Sequence, residues 1–302
     1  GEVVISGLAV GNYTAFIEYS GNNNYTKSNT TVQFNITKAN ATVNGTIANI
    51  TYGNNTIVIV NVTGVNGTDL SGNVTVTING VSRNGTVNST GMGKVIMPIF
   101  AVGNYNATIV YYGNNNYTAA NATVKFRVVK GNATVNGTIA NITYGENATV
   151  KVNVTGVNGE ALSGDVNITV NNQNYTVNLI NGVGSVVVPG LITGNYTAEI
   201  KYMGNENYTE SEVVLVNFTV FKANSTVNIH VDRLYNDENN TGDIYLTGAN
   251  NMPLNGTVHV VINSTLLDAP VEFDVLVVNG EGRYTTRVLN VTGNYTATAT
   301  FD

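Results

Sequence analysis

The stretch Gly103–Thr118, "GNYNATIVYYGNNNYT", decides the fold, because it returns along the chain. It reads "GNYTAFIEYSGNNNYT" from Gly11, "GNYTAEIKYMGNENYT" from Gly194 and, shortened, "GNYTATATFD" from Gly293. Successive starts lie 92, 91 and 99 residues apart (103 − 11, 194 − 103, 293 − 194). A second landmark keeps the same rhythm: "KANATVNGTIANITYG" from Lys38, "KGNATVNGTIANITYG" from Lys130 and "KANSTVNIHVDRLY" from Lys222. A unit of about 92 residues is too long for a solenoid repeat and suits a small autonomous domain.

Inside the unit the pattern is strand after strand. "TIVIVNVT" from Thr56, "NVTVTI" from Asn73, "KVIMPIF" from Lys94, "YNATIVYY" from Tyr105 and "ATVKFRVV" from Ala122 are β-branched runs separated by Gly and Asn turn signals. With "ATVNGTI" and the short "RNGTV" they make about seven strands, and no window supports an amphipathic helix. That count in some 90 residues predicts an all-β fold: tandem immunoglobulin-like Greek-key β-sandwiches. Period-2 alternation puts Tyr105, Ala107, Ile109 and Tyr111 on the inward face, with Val124, Phe126 and Val128 facing the core from the last strand. A Gly-x-Tyr entry to the sixth strand is where a tyrosine corner sits, which marks Tyr13, Tyr105, Tyr196 and Tyr295.

The landmarks divide the chain into residues 1–37, the last three strands of a truncated unit; units 38–129 and 130–221; and 222–302, a unit lacking its last strand. We read the chain as a window on a longer array, with any anchor outside this segment. "FNITKANATV" joins one last strand directly to the next first strand, so the units should form a stiff rod. Each would add roughly 35–45 Å.

The Tyr-rich strand, the Gly-Asn turn and the second Tyr of "VGNYNATIVYYGNNNYTAANATV" resemble the bacterial Ig-like domain family. Arrays this rich in Asn and Thr resemble the adhesin-like surface proteins of methanogenic archaea. The resemblance implies an extracellular, cell-surface location and a scaffold role, with other copies of the array, surface components of other cells or glycans as partners. The last unit departs from the pattern, since "VDRLYNDENNTGD" is longer and more acidic than "NITYGNNT".

Composition narrows the chemistry. Charged residues are only 11%, the net charge is −6 and the pI is near 4.9. No cationic surplus exists to displace counterions from phosphates, which argues against nucleic acid as a partner. Cysteine is absent, removing disulfides, thiolate metal sites and Cys nucleophiles. No apolar run is long enough to insert in a membrane, and no signal peptide opens the chain.

The N-x-S/T sequon is the most frequent motif. Asn and Thr two apart on an exposed strand generate sequons by chance, but copies in loops and at unit borders are not explained that way. The candidate glycan acceptors are Asn12, Asn24, Asn40, Asn44, Asn66, Asn116, Asn132, Asn136, Asn195, Asn207 and Asn224. Lys38, Lys130 and Lys222 recur, but unit 38–129 has a single acid, Asp69, too few for an isopeptide cross-link. Asp237, Asn239, Thr241 and Gly242 imitate part of a calcium loop, yet Gly248 stands where its Glu belongs. His230 and His259 read as ordinary strand histidines, so no metal or other cofactor is expected. No recurring catalytic set exists, and the reading is non-enzymatic. Tyr25, Tyr112, Tyr117 and Tyr208 remain as exposed aromatics that a sugar could stack on. The expected function is a glycosylated stalk of a surface adhesin; a surface filament with strand exchange or lateral packing, and a lectin-like module, are the alternatives.

Overall fold

The computed structural model describes residues 1–232, 238–289 and 291–301. Asp237 lies outside the described residues, and so does Asp302. Two compact units are present: Gly1–Thr134 with Thr155–Gly164 and Met203–Ser211, and Val135–Val154 with Asp165–Tyr202 and Glu212–Asp302. The chain is all-β, a tandem series of immunoglobulin-like sandwiches.

The first strands, β1 (Gly11–Tyr19) and β2 (Ser28–Ile36), form a two-stranded antiparallel hairpin. Three strands were expected in residues 1–37, but residues 1–10 form none. Val3 and Val4 are exposed, and no neighbouring strand among the described residues takes their backbone groups.

The first sandwich follows. Its strands are β3 (Thr42–Thr46), β4 (Ile50–Thr51), β5 (Thr56–Thr63), β6 (Gly72–Ile78), β7 (Val81–Val87), β8 (Met92–Met97), β9 (Gly103–Tyr111) and β10 (Ala120–Val129). They make one sheet in the order β3-β5-β8 and a second in the order β4-β10-β9-β6-β7. The next sandwich copies this with β11 (Thr134–Thr138), β12 (Ile142–Thr143), β13 (Ala148–Thr155), β14 (Gly164–Val170), β15 (Gln173–Leu179), β16 (Val183–Val188), β17 (Gly194–Tyr202) and β18 (Val214–Phe221). Its sheets run β11-β13-β16 and β12-β18-β17-β14-β15. The strand beyond the seven expected is the two-residue β4, or β12, which pairs in parallel with the last strand: Ile50 opposite Val128, Ile142 opposite Val220. Two residues carry no periodicity to read.

The repeated motif supplies the central strand pair. On β9, Ala107, Ile109 and Tyr111 are fully buried between the sheets while Asn104, Asn106 and Thr108 face out. Pairing with β10 sets Tyr105 opposite Phe126 and Ala107 opposite Val124. The same register puts Tyr196 opposite Phe218 and Tyr13 opposite Phe34. In all three places the two rings stack with centroids 5.6 Å apart. Full burial of a side chain such as Ile109 is worth roughly 1.5–3 kcal/mol.

The last sandwich is built from β19 (Thr226–Val231), β20 (Asn239–Thr247), β21 (Gly256–Asn263), β22 (Val271–Val277), β23 (Glu281–Val288) and β24 (Thr296–Thr300). Its sheets are β19-β20-β23 and β22-β21-β24, with β24 outermost among the described strands. Its core compensates for volume. Gly242 occupies the place of Val58 and Val150, and Tyr284 across from it replaces Val95 and Val186. A Cβ on Gly242 would collide with the Tyr284 ring, so the glycine makes room for the tyrosine.

Identical letters in the motif therefore carry different energies. Ile109 is fully buried, whereas Ile17, at the same motif position in the two-stranded hairpin, is 54% exposed. Ile109→Ala should cost about 2–5 kcal/mol in a denaturant titration. Ile17→Ala should leave that transition within about 0.5 kcal/mol of its starting point.

Candidate functional site

The residues that join one repeat to the next are set by the second half of the motif. In "GNNNYT" the glycine takes a left-handed conformation, with φ of +82° at Gly21 and +79° at Gly113 and Gly204. The asparagine after it then folds its side chain back over the turn. Asn114 Oδ1 accepts the backbone N–H groups of Asn116 and Tyr117 at 2.9 Å each. Asn205 does the same for Asn207 and Tyr208, and Asn22 for Asn24 and Tyr25. Sequence reasoning assigned no role to these three asparagines. The signal was available, because Asn115 gives way to Glu206 at the next position while Asn22, Asn114 and Asn205 stay constant.

The turn grips the segment that enters its own sandwich. Ala39 N–H donates to Asn116 O and Thr118 N–H to Ala39 O, both at 2.9 Å. One repeat later Gly131 N–H donates to Asn207 O at 3.0 Å and Thr209 N–H to Gly131 O at 2.9 Å. The Lys130 ammonium adds a 2.6 Å bond to Asn205 O. Only residues 130–133 lie between β10 and β11.

At the junction itself, Tyr208 leaves the turn and lies edge-on to Tyr52, with centroids 5.3 Å apart and planes at 88°. Asn158 Nδ2 donates to Gly53 O at 2.6 Å. Asn207 Oδ1 accepts the N–H of Val102 at 3.2 Å. Gly156 is small because a Cβ there would strike the Tyr208 hydroxyl. Tyr208 is thus only 2% exposed, which corrects its reading as a sugar-stacking surface. Its exposure is decided by a neighbour more than a hundred residues away, which no local pattern reveals. Tyr117 is half-buried, while Tyr25 and Tyr112 are exposed. At the corresponding place before the last sandwich, Tyr144, Gly145, Lys222, Ala249, Met252 and Leu254 line an apolar cavity of about 270 Å³.

The entry tyrosines each bond to the backbone four residues upstream. Tyr13 donates to Ala9 O at 2.7 Å, Tyr105 to Ala101 O at 2.9 Å, Tyr196 to Ile192 O at 3.0 Å and Tyr295 to Val291 O at 2.7 Å. Among the sequon asparagines, Asn12, Asn24, Asn40, Asn44, Asn66, Asn116, Asn132, Asn136, Asn195 and Asn224 are exposed, and Asn207 alone of that set is half-buried. Asn66 stands at the tip of a 3-10 turn with φ of 56°. Burial raises the pKa of the Tyr111 and Tyr202 hydroxyls; Tyr111 donates to Ser71 O.

The densest charges are on the last sandwich. Arg283 reaches Asp243 at 2.8 Å and Asp232 at 2.9 Å. The Thr241 hydroxyl bond, ahead of the Arg283 charge, holds the Asp232 carboxyl below the usual range. Asn239, Thr241 and Gly242, which imitated part of a calcium loop, belong to strand β20. His259 does have matched carboxylates, Asp274 at 2.9 Å and Glu272 at 4.0 Å, all on the exposed face. Among the described residues no three His, Cys, Asp or Glu side chains converge on a metal position. No helix among them is long and apolar enough to cross a membrane.

No family model and no curated protein matches the chain. Among solved structures it is similar to invasin, a bacterial integrin-binding protein, at 16% identity and a TM-score of 0.48, covering 85% of this chain and 56% of that one. It is similar to a set of titin domains at 15% identity and a TM-score of 0.38, covering 85% and 90%. The Escherichia coli adhesin FdeC is similar at 16% identity and a TM-score of 0.30, covering 86% and 91%.

The turn asparagine is directly testable. Asn205→Ala removes an acceptor from two backbone N–H groups and should cost about 1–2 kcal/mol. Hydrogen exchange at the Asn207 and Tyr208 amides should accelerate by a factor of about 10 or more. The Ala198 and Glu199 amides, on β17 between two paired strands, should keep their protection.

Proposed function

We propose that the chain is a non-enzymatic spacer: part of the extracellular stalk of an adhesin-like surface protein, holding a binding region away from its anchor. Residues 38–129 and 130–221 are taken as complete modules, 1–37 and 222–302 as parts of two more. One observation carries the reading, the junction in which Tyr52 packs edge-on against Tyr208, Asn158 bonds to Gly53 and Asn207 bonds to Val102. Modules joined by a free linker swivel, and a spacer must not. The side-chain contacts at this junction and the backbone bonds between the turn and the linker support that reading.

Glycosylation belongs to the same proposal. The Asn66 side chain stands clear at a turn tip, where an added sugar meets no backbone. Asn207 is half-buried and engaged at the junction, so it should stay unmodified although its sequon is intact. Glycopeptide mass spectrometry on protein from its own source should find sugar at Asn66 and none at Asn207. Sugar at Asn207, or none at any sequon, overturns this part.

The spacer reading is tested by small-angle scattering on the whole chain. Stiff junctions give a maximum dimension close to the sum of the sandwich lengths, roughly 35–45 Å each. Tyr52→Ser combined with Asn158→Ser should shorten the mean dimension and broaden the distance distribution, with far-ultraviolet circular dichroism showing that the sandwiches remain folded although Tyr52 also packs on the core of its own sandwich. A wild-type chain that is already collapsed, or a double variant indistinguishable from it, sinks the reading.

A further inference from the structure

We infer that the apolar cavity beside Tyr144 and Gly248 is a socket for a tyrosine ring, carried by a Gly-Asn-x-Asn-Tyr-Thr turn on a peptide segment that pairs along β24. The inference stands whether or not the array serves as a spacer.

The preceding sandwich shows what such a place holds. There the Tyr208 ring lies edge-on to Tyr52; a Cβ on Gly131 would crowd that ring, and one on Gly156 would strike its hydroxyl. In the first sandwich a Cβ on Gly64 would strike Tyr117 in the same way. The repeat carries Tyr52 to Tyr144, Gly131 to Ala223, and both Gly64 and Gly156 to Gly248. Lys130 and Leu162 likewise become Lys222 and Leu254. These counterparts line the cavity of about 270 Å³. The walls that enclose Tyr208 are thus repeated around open space.

Three details fit that space to the same occupant. Gly248 has φ of −105° and ψ of −156°, extended backbone that any residue adopts, so it is glycine for room and not for conformation. The three atoms nearest to where its Cβ would stand belong to Leu254, at 3.1–3.4 Å, whereas Gly64 and Gly156 meet a tyrosine. Tyr144 is 42% exposed, while Tyr52 is half-buried against Tyr208. Backbone groups match as well. Gly131 bonds to its turn through both N–H and C=O, and Lys130 reaches Asn205 O; among the described residues Ala223 makes no such backbone bonds.

Strand order fixes the direction of approach. The Tyr208 turn follows β17 and leads into β18, which pairs beside it with Phe218 opposite Tyr196 and Val216 opposite Ala198. The counterpart of β17 is β24, outermost in its sheet, whose Tyr295, Ala297 and Phe301 are only partly buried against the core. A segment leaving the turn along β24 covers these residues and brings its tyrosine to the cavity. Tyr25 of a second copy is exposed on the same kind of turn, but it is not the occupant. Its turn is preceded by β1, the counterpart of β24, which would have to lie where β24 already stands.

The test uses the whole chain, expressed without glycosylation so that Asn224 at the cavity carries no sugar. The probe is an end-capped peptide with the sequence of residues 113–129, "GNNNYTAANATVKFRVV", titrated to about 1 mM and followed by calorimetry. One peptide should bind per chain. The same peptide with Tyr117→Ala should bind more weakly by a factor of about 10 or more, because no ring fills the cavity. Gly248→Ala in the chain should weaken the unaltered peptide by a factor of about 10 as well, since its Cβ enters the space that the ring needs. The melting curve of that variant should match the unaltered chain, because the Leu254 side chain can give way. Absence of binding at 1 mM, equal affinity for the alanine peptide, or an affinity unchanged by Gly248→Ala overturns the inference. So does a dimer formed without peptide and abolished by Tyr25→Ala, which assigns the socket to a second copy.

Discussion

The backbone of the turn after the Gly-Asn-Tyr strand is the point on which the tandem arrangement depends. A tight turn leaves N–H groups without partners, and unpaired ones are costly when other residues cover them. The Asn114 and Asn205 side chains satisfy two such groups apiece, which fixes the turn shape. A fixed turn can then bond to the linker, and its tyrosine is aimed at a definite place. Were the asparagine replaced by an apolar residue, the turn would have to open towards water for its hydrogen bonds. The linker bonds to Gly131 and the contact with Tyr52 would lose their base together.

The same strand organises the core from its other end. Its entry tyrosine is tied to the backbone four residues upstream and stacked on the phenylalanine of the following strand. From there, alternate residues enter the space between the sheets. One segment therefore sets both the register of the central strand pair and the path of the chain leaving it. That economy explains why the motif tolerates little change across three copies while the rim strands "RNGTV", "NYTVN" and "EFDVL" share almost nothing. Gly242 and Tyr284 show the remaining freedom: two core positions facing each other can exchange volume if their sum is kept.

Much of this was legible in the residues. Period-2 alternation gave the inward faces of Ala107, Ile109 and Tyr111, because a strand buried on one side writes that side in every second letter. The short β4 escaped notice because two residues cannot display a period. The absence of a strand in residues 1–10 escaped it because "EVVISG" has β-branched composition, and composition does not supply a neighbour to bond to. Tyr208 was misjudged for a related reason. In sequence it matches the exposed Tyr25, but Tyr208 is covered by Gly131 and Gly156 of its own sandwich and by Tyr52, whereas Tyr25 follows a strand of a two-stranded hairpin. Local chemistry predicts local geometry well, and burial at a junction belongs to two segments at once.

The sparse charge finally bears on how such a surface stays ordered. Neutral side chains bridge the strands where ion pairs would be expected: Thr75 to Asn84 at 2.8 Å, Thr169 to Asn174 at 2.8 Å, Thr197 to Asn217 at 2.7 Å and Thr219 to Asn195 at 2.9 Å. Each hydroxyl donates to an amide oxygen. Exposed ion pairs weaken as salt rises, since the Debye length falls from about 10 Å at 0.1 M to about 3 Å at 1 M. Bonds between neutral groups at contact distance have little to lose to that screening. Their stability is also indifferent to pH over the range in which carboxylates titrate. A surface written in Asn and Thr thus trades the long reach of charge for bonds that hold in fresh or salty surroundings alike. The cost is weak repulsion between molecules, which concentrates the burden of keeping copies apart on the few lysines and arginines at the rims.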